Sequence, residues 1–133
     1  MRTHLFSALA TLRIGLDILT QTEQVPIDRL YGHGGFFKTP EVGQKMLSAA
    51  VGAPVSVMET AGEGGPYGMA LLAAYMIWKG KGEILPDYLD KKVFSNAKSV
   101  TLMAEEKDVA GFNIFLTRYK KALPMEKVAT EVL

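Results

Sequence analysis

The stretch Tyr31-Gly32-His33-Gly34-Gly35-Phe36-Phe37-Lys38-Thr39-Pro40 decides how the chain is read, because it joins a short strand to a helix through paired glycines. Upstream, Pro26 introduces residues 27–33, whose Leu30 and Tyr31 predict a buried strand running into Gly34 and Gly35. Downstream, Thr39 is placed to cap a helix with its hydroxyl, Pro40 suits the first helical position, and Glu41 favours the positive end of the dipole. Val42, Met46, Leu47 and Ala50 make the buried stripe, and Gly52 closes the helix. Val55 to Met58 then reads as a second strand. Residues 27–58 therefore predict a parallel, right-handed strand-helix-strand unit, and the expected fold class is α/β.

Working outward, Leu5, Ala8, Leu9, Leu12, Leu16 and Leu19 recur at helical spacing and predict an amphipathic helix over residues 3–20. A chain that opens directly in a core-facing helix reads as a piece of something longer. After the second strand, residues 59–65 form a glycine-rich turn. The run 67–79 reads as a central packed helix with Gly68, Leu71, Leu72, Tyr75 and Met76 on one face. Gly80 and Gly82 end it, and Pro86 restarts a short helical piece through Leu89. Residues 95–104 are poorly patterned, with room for an extended segment. Asp108 then caps a helix carrying Phe112, Phe115, Leu116 and Tyr119 on one side. Pro124 separates it from a final short helix with Met125, Val128 and Val132. Several packed helices thus surround the strand-helix-strand unit.

Composition bounds the function. The 133 residues are 48% hydrophobic and 22% charged, which supplies the apolar surface that disordered chains lack. Fifteen Lys and Arg against fourteen Asp and Glu leave a formal charge of +1, too balanced for a dedicated binder of nucleic acid or anionic membranes. The absence of cysteine excludes a disulfide framework and thiolate metal sites and fits a reducing compartment. The apolar runs around residues 5–19 and 69–78 fall short of a bilayer span, and Arg13 and Asp17 interrupt any signal-peptide core. A cytoplasmic location is expected.

Few residues invite chemistry. Without a Cβ at Gly34 and Gly35, a flat or anionic ligand can approach the backbone, and the amides of the following helix start favour negative charge. The geometry suits a nucleotide; taken alone, the glycines need only permit a tight turn. Neither a Walker loop nor the dinucleotide fingerprint is present. Glu63 lies in a second glycine cluster, Gly62-Glu63-Gly64-Gly65, where interaction with a helix dipole is the plainer role. His4 and His33 are far apart and lack Cys or paired carboxylates nearby, so no metal site is expected. Lys79, Lys81, Lys91 and Lys92 read as a solvated rim.

Taken together, these segments resemble the carboxy-terminal part of the FGGY family of carbohydrate kinases. Three features carry the likeness: the Ser7-Ala8-Leu9-Ala10 helix, Gly34-Gly35 leading into a helix, and Glu63 followed by a Gly- and Ala-rich helix through Ala74. It spans roughly residues 1–122. The form His33-Gly34-Gly35-Phe36-Phe37-Lys38-Thr39 with Glu59 to Gly65 looks most like the ribulokinase and xylulokinase branch.

The resemblance implies an actin-like, ribonuclease-H-like lobe and the adenosine side of a cleft in which ATP meets a ketopentose. By position, Gly35 corresponds to backbone lying against the nucleotide, Gly34 and Phe36 flank it, and Thr39 stands where many members have an Asn near the adenine. A hydroxyl cannot reproduce that two-sided amide. In the family, the aspartate base, the sugar-binding residues, the magnesium site and the main phosphate loops lie upstream of the matching segment. Asp17, Asp28, Asp87, Asp90 and Asp108 fall outside any matching catalytic motif. The resemblance thus implies a nucleotide-side fragment without sugar kinase activity of its own, with Mg2+ held by groups outside it. Its partners would be an adenine nucleotide and a missing amino-terminal lobe or another copy of the chain. The competing class is a non-catalytic interaction module, a residual lobe that associates through its uncovered surface.

Overall fold

The computed structural model describes residues 2–131 and has a mixed α/β architecture. Helix α1 (Arg2–Asp17) runs into a π-helical turn, Ile18–Thr22, and precedes strand β1 (Leu30–Gly32). A 3-10 turn, Gly35–Phe37, leads to α2 (Val42–Val51) and β2 (Val55–Met58). A second 3-10 turn, Ala61–Glu63, opens α3 (Gly64–Trp78). The short α4 (Leu85–Tyr88), strand β3 (Ser99–Leu102) and the long α5 (Glu106–Glu131) follow.

The sheet order is β1-β2-β3. As expected, β1 and β2 are parallel, with Leu30 opposite Val55 and Gly32 opposite Val57. The poorly patterned stretch supplies β3, which pairs antiparallel to β2 with Val55 opposite Leu102. Alternation along the strands turns Leu30, Val55 and Val57 toward α1, α2 and α5. There they join Phe6, Leu9 and Ala10 of α1, Leu47, Ala49 and Ala50 of α2, and Phe112 and Leu116 of α5 in one core. Fully buried alanines 10, 49 and 50 let the helices approach closely. Phe6 and Phe112 meet edge to face at 5.1 Å between ring centres.

Two polar residues of α2 fasten the antiparallel strand. The amide nitrogen of Gln44 donates to the carbonyl oxygens of Val55 and Val100 at 3.1 and 2.8 Å. The fully buried Ser48 hydroxyl accepts the Ala104 N–H at 2.8 Å. A hydroxyl pair, Ser56 and Thr101, bridges β2 and β3 at 2.7 Å.

Several expectations are corrected. The buried side of α1 is Phe6, Leu9 and Ala10, with Ile14 packed beside them, while Ala8, Leu12 and Leu19 are exposed. Apolar residues lie on more than one side of this helix, and contact with both α2 and α5 selects the side holding Phe6. Tyr31 is exposed, because it points to the opposite face from its strand neighbour Leu30. Helix α2 begins at Val42 without a side-chain cap from Thr39; Glu41 precedes it with φ +64° and ties its carboxylate to Lys45 at 2.7 Å. The cause is crowding, since Gly43 packs directly against the Phe36 carbonyl and the chain must pivot to bring the helix in. Val42 is consequently exposed. Gly52 does close α2, at φ +73°.

Helix α3 is not a packed central helix, for none of its residues is buried. It is held at its ends. Gly64 abuts His33, and the Tyr75 hydroxyl donates to the Glu83 carbonyl at 2.7 Å while its ring meets Tyr88. Nor does Pro124 break α5: the far half is exposed, so water can satisfy the carbonyl that loses its partner. Asp108 lies in the first turn of α5 and pairs with Arg2 at 2.6 Å. Val132 lies outside the described residues.

Candidate functional site

The expected site residues Gly34, Gly35 and Phe36 share one tight turn at the end of β1. Gly34 sits at φ +98°, a conformation that penalises any side chain. Its N–H donates to the Ala61 carbonyl at 2.6 Å, and its own carbonyl accepts the Phe37 N–H at 3.0 Å. The first bond ties the first glycine turn to the second. Gly64 completes the junction, since a Cβ there would stand 3.0 Å from the His33 Cβ and 3.3 Å from the Gly34 nitrogen.

Beneath the turn, the Phe37 ring lies against Gly32, leaving no room for a side chain at that position. Above it the situation reverses. A Cβ built on Gly34 or Gly35 meets nothing within 4 Å, so the upper side of the backbone is open. The amides of Gly35 and Phe36 begin the 3-10 turn, where N–H groups have no partner within the turn itself. Phe36 and Thr39 are exposed, and Thr39 lies beyond the turn with its hydroxyl free of the helix cap that the sequence predicts. Lys38 reaches over to Glu63 at 3.1 Å, an exposed ion pair joining the two loops.

A cleft of about 740 Å³ opens beside this junction, lined by residues 37–38, 40–41, 44, 57–63, 98 and 100. It starts at Phe37 and does not include Gly34, Gly35, Phe36 or Thr39. Its walls carry Lys38 and Lys98 against Glu41, Glu59 and Glu63. The hydrogen bond from Lys45 holds the Glu41 carboxyl below its ordinary range, so it is charged at neutral pH. At the base lies Gln44, only 6% exposed. Its nitrogen is committed to two strand carbonyls, which fixes the amide orientation. Among the described residues no buried side-chain oxygen or nitrogen lacks a partner. Sequence reasoning missed Gln44, because its partners Val55 and Val100 become neighbours only through the pairing of β2 with β3.

Among the described residues, no three His, Cys, Asp or Glu side chains gather as a metal-binding group. His4 lies on α1 and His33 beside the glycine turn, on separate elements. The arrangement offers open backbone, a few hydrogen-bonding groups and an apolar edge at Phe36.

No curated protein and no solved structure matches the chain. Residues 1–77 match the FGGY family of carbohydrate kinases, C-terminal domain, a span that contains α1, the glycine turn, α2, both parallel strands, the Glu63 loop and nearly all of α3. As that span covers more than half of the sequence, the chain belongs to the FGGY family of carbohydrate kinases.

Proposed function

We propose that the chain is the nucleotide side of an ATP-dependent pentulose kinase of the xylulokinase or ribulokinase type, with Gly34, Gly35, Phe36 and Thr39 against the adenosine. One observation carries the reading: the Gly34-Gly35 turn is open above and locked below, to Ala61 by a hydrogen bond and to Gly64 by contact. A preformed platform of this kind binds without first paying to order itself.

The residues fit an adenine nucleotide. Gly34 and Gly35 let a flat base or ribose come against the backbone, and the leading amides of the 3-10 turn offer donors. Phe36 provides an apolar edge, while the Thr39 hydroxyl offers a single hydrogen-bonding group to the base. When bound, ATP supplies the phosphoryl group that a carbohydrate kinase transfers. Positioning and charge neutralisation around that group dominate such transfers, and residues 34–39 bear on the nucleoside end only. Sugar contact, the aspartate base and Mg2+ coordination belong to groups outside this chain. The isolated polypeptide therefore has no sugar kinase activity. No helix among the described residues is long and apolar enough to cross a membrane.

Two measurements test this reading. ATP titrated into isotope-labelled protein should shift the backbone amide resonances of residues 34–39, and shifts confined elsewhere would remove the site. A coupled assay with ATP and a panel of ketopentoses should give no turnover above background; robust turnover by the chain alone would refute the division of labour.

A further inference from the structure

We propose that Glu41 is a positioning residue: its strained turn denies Thr39 the role of helix cap and so keeps the Thr39 hydroxyl available to the nucleobase. The inference rests on the nucleotide reading above and adds to it the residue that prepares one of its contacts.

Two hydrogen-bonding schemes compete for the start of α2. In the scheme that the sequence favours, Thr39 is the cap, Pro40 is the first helical residue, and the Thr39 oxygen accepts the N–H of Val42, three positions on. In the scheme that the structure adopts, Glu41 stands at φ +64° and ψ −33°, and the Val42 N–H donates instead to the Pro40 carbonyl at 2.7 Å. That bond closes a γ-turn at positive φ, the rarer and more strained hand. It consumes the donor that a Thr39 cap requires.

A residue with a side chain persists in such a conformation only where its surroundings over-determine it. The bonds from Lys45, to the Glu41 carbonyl at 2.8 Å and to its carboxylate at 2.7 Å, suit either scheme and do not choose between them. The choice lies with Gly43, which packs against the Phe36 carbonyl with no room for a Cβ. That contact ties the first turn of α2 to the 3-10 turn holding Gly35 and Phe36, so the open glycine turn and the strain at Glu41 belong to one arrangement. Thr39 lies between them, exposed and making no cap bond. A sequence that favours the cap and a fold that withholds it form the kind of conflict that functional sites carry.

Substitutions at residue 41 test the proposal, because Val and Gly both lack the carboxylate and differ in their tolerance of positive φ. In the ligand-free chain, Glu41→Val should drive residues 39–41 into the capped helical start, read as helical α-carbon NMR shifts and a displaced Val42 amide resonance. Glu41→Gly should keep the turn. Calorimetric titration with ATP gives the second readout: Glu41→Val should bind about fivefold more weakly than Glu41→Gly, the worth of one neutral hydrogen bond. Glu41→Ala, a milder change, should move the same way by less. In a Thr39→Ala background the Val and Gly variants should bind ATP alike, since no hydroxyl is left to withhold. Equal affinities with Thr39 in place, a Val variant without the capped start, or a difference that survives Thr39→Ala would overturn the proposal. Failure of the unsubstituted chain to bind ATP would instead remove the nucleotide reading, and this role of Glu41 with it.

Discussion

Replacing Gln44 by Leu isolates the device that fastens β3 to the rest of the molecule. The substitution keeps the side chain's approximate size but removes the nitrogen that bonds Val55 and Val100 carbonyls at 3.1 and 2.8 Å. Each carbonyl loses one hydrogen bond, worth about 0.5–1.5 kcal/mol net. Val55 is fully buried and bears the greater loss, whereas Val100 is exposed and its carbonyl can recruit water. The expected loss is therefore about 1–3 kcal/mol, a sizeable share of the 5–15 kcal/mol typical of a domain. Urea unfolding followed by circular dichroism, at one protein concentration, should show the midpoint fall with the slope unchanged. Gln44→Glu separates hydrogen bonding from shape. Its ionised carboxylate would face two carbonyl oxygens, so burial without donors raises its folded pKa above the ordinary value of about 4.3. A protonated carboxyl retains one donor. The stability it contributes is present below that ordinary value and disappears as pH rises through the raised folded value. A loss below about 0.5 kcal/mol for Gln44→Leu, typical of an inert surface site, would refute the bridging role.

Phe112→Ala should cost about 3–5 kcal/mol, because the ring is fully buried and meets Phe6 edge to face, and thermal melting would register it directly. Asp17 gives the acid limb of stability. Burial raises its carboxyl pKa, but the hydrogen bonds and charges of Arg13 and Lys120 outweigh burial and hold it below the ordinary range. Its contribution is thus present above the unfolded value of about 3.9 and is lost as pH falls through the lower folded value. Asp17→Asn should lower the urea midpoint at pH 7 and flatten its decline below pH 4; parallel curves for the two proteins would argue against the pairing.

Glycine and proline punctuation made the parallel β1-α2-β2 unit legible, since Gly34-Gly35 and Gly52 bracket a periodic segment. Local chemistry was less reliable where contacts from elsewhere intervened. Thr39 and Pro40 read as a helix start, but packing of Phe36 against Gly43 moved it to Val42. Spacing alone placed α1's apolar side around Leu5, Ala8 and Leu12, whereas Phe112, a hundred residues away, selects Phe6. Strand β3 had little signature of its own, because Ser99, Val100 and Thr101 are exposed and their pairing depends on β2. Of the proposed site, the turn at residues 34–36 was legible as adjacent glycines and an aromatic. Its lock to Ala61 and the bonds of Gln44 to both strands arise only in three dimensions.

The attachments made by Gln44 and Ser48 have a consequence for what counts as a unit. The span matched by the family is residues 1–77, and both side chains lie inside it but find partners at Val100 and Ala104 beyond it. Phe112 and Leu116 close the same core from farther still. A chain cut after residue 77 would keep the glycine turn yet strand the buried Ser48 hydroxyl and expose Phe6, Leu9 and Leu47. The cooperative unit therefore runs past the matched span, because the first 77 residues depend on β3 and α5 to close their core.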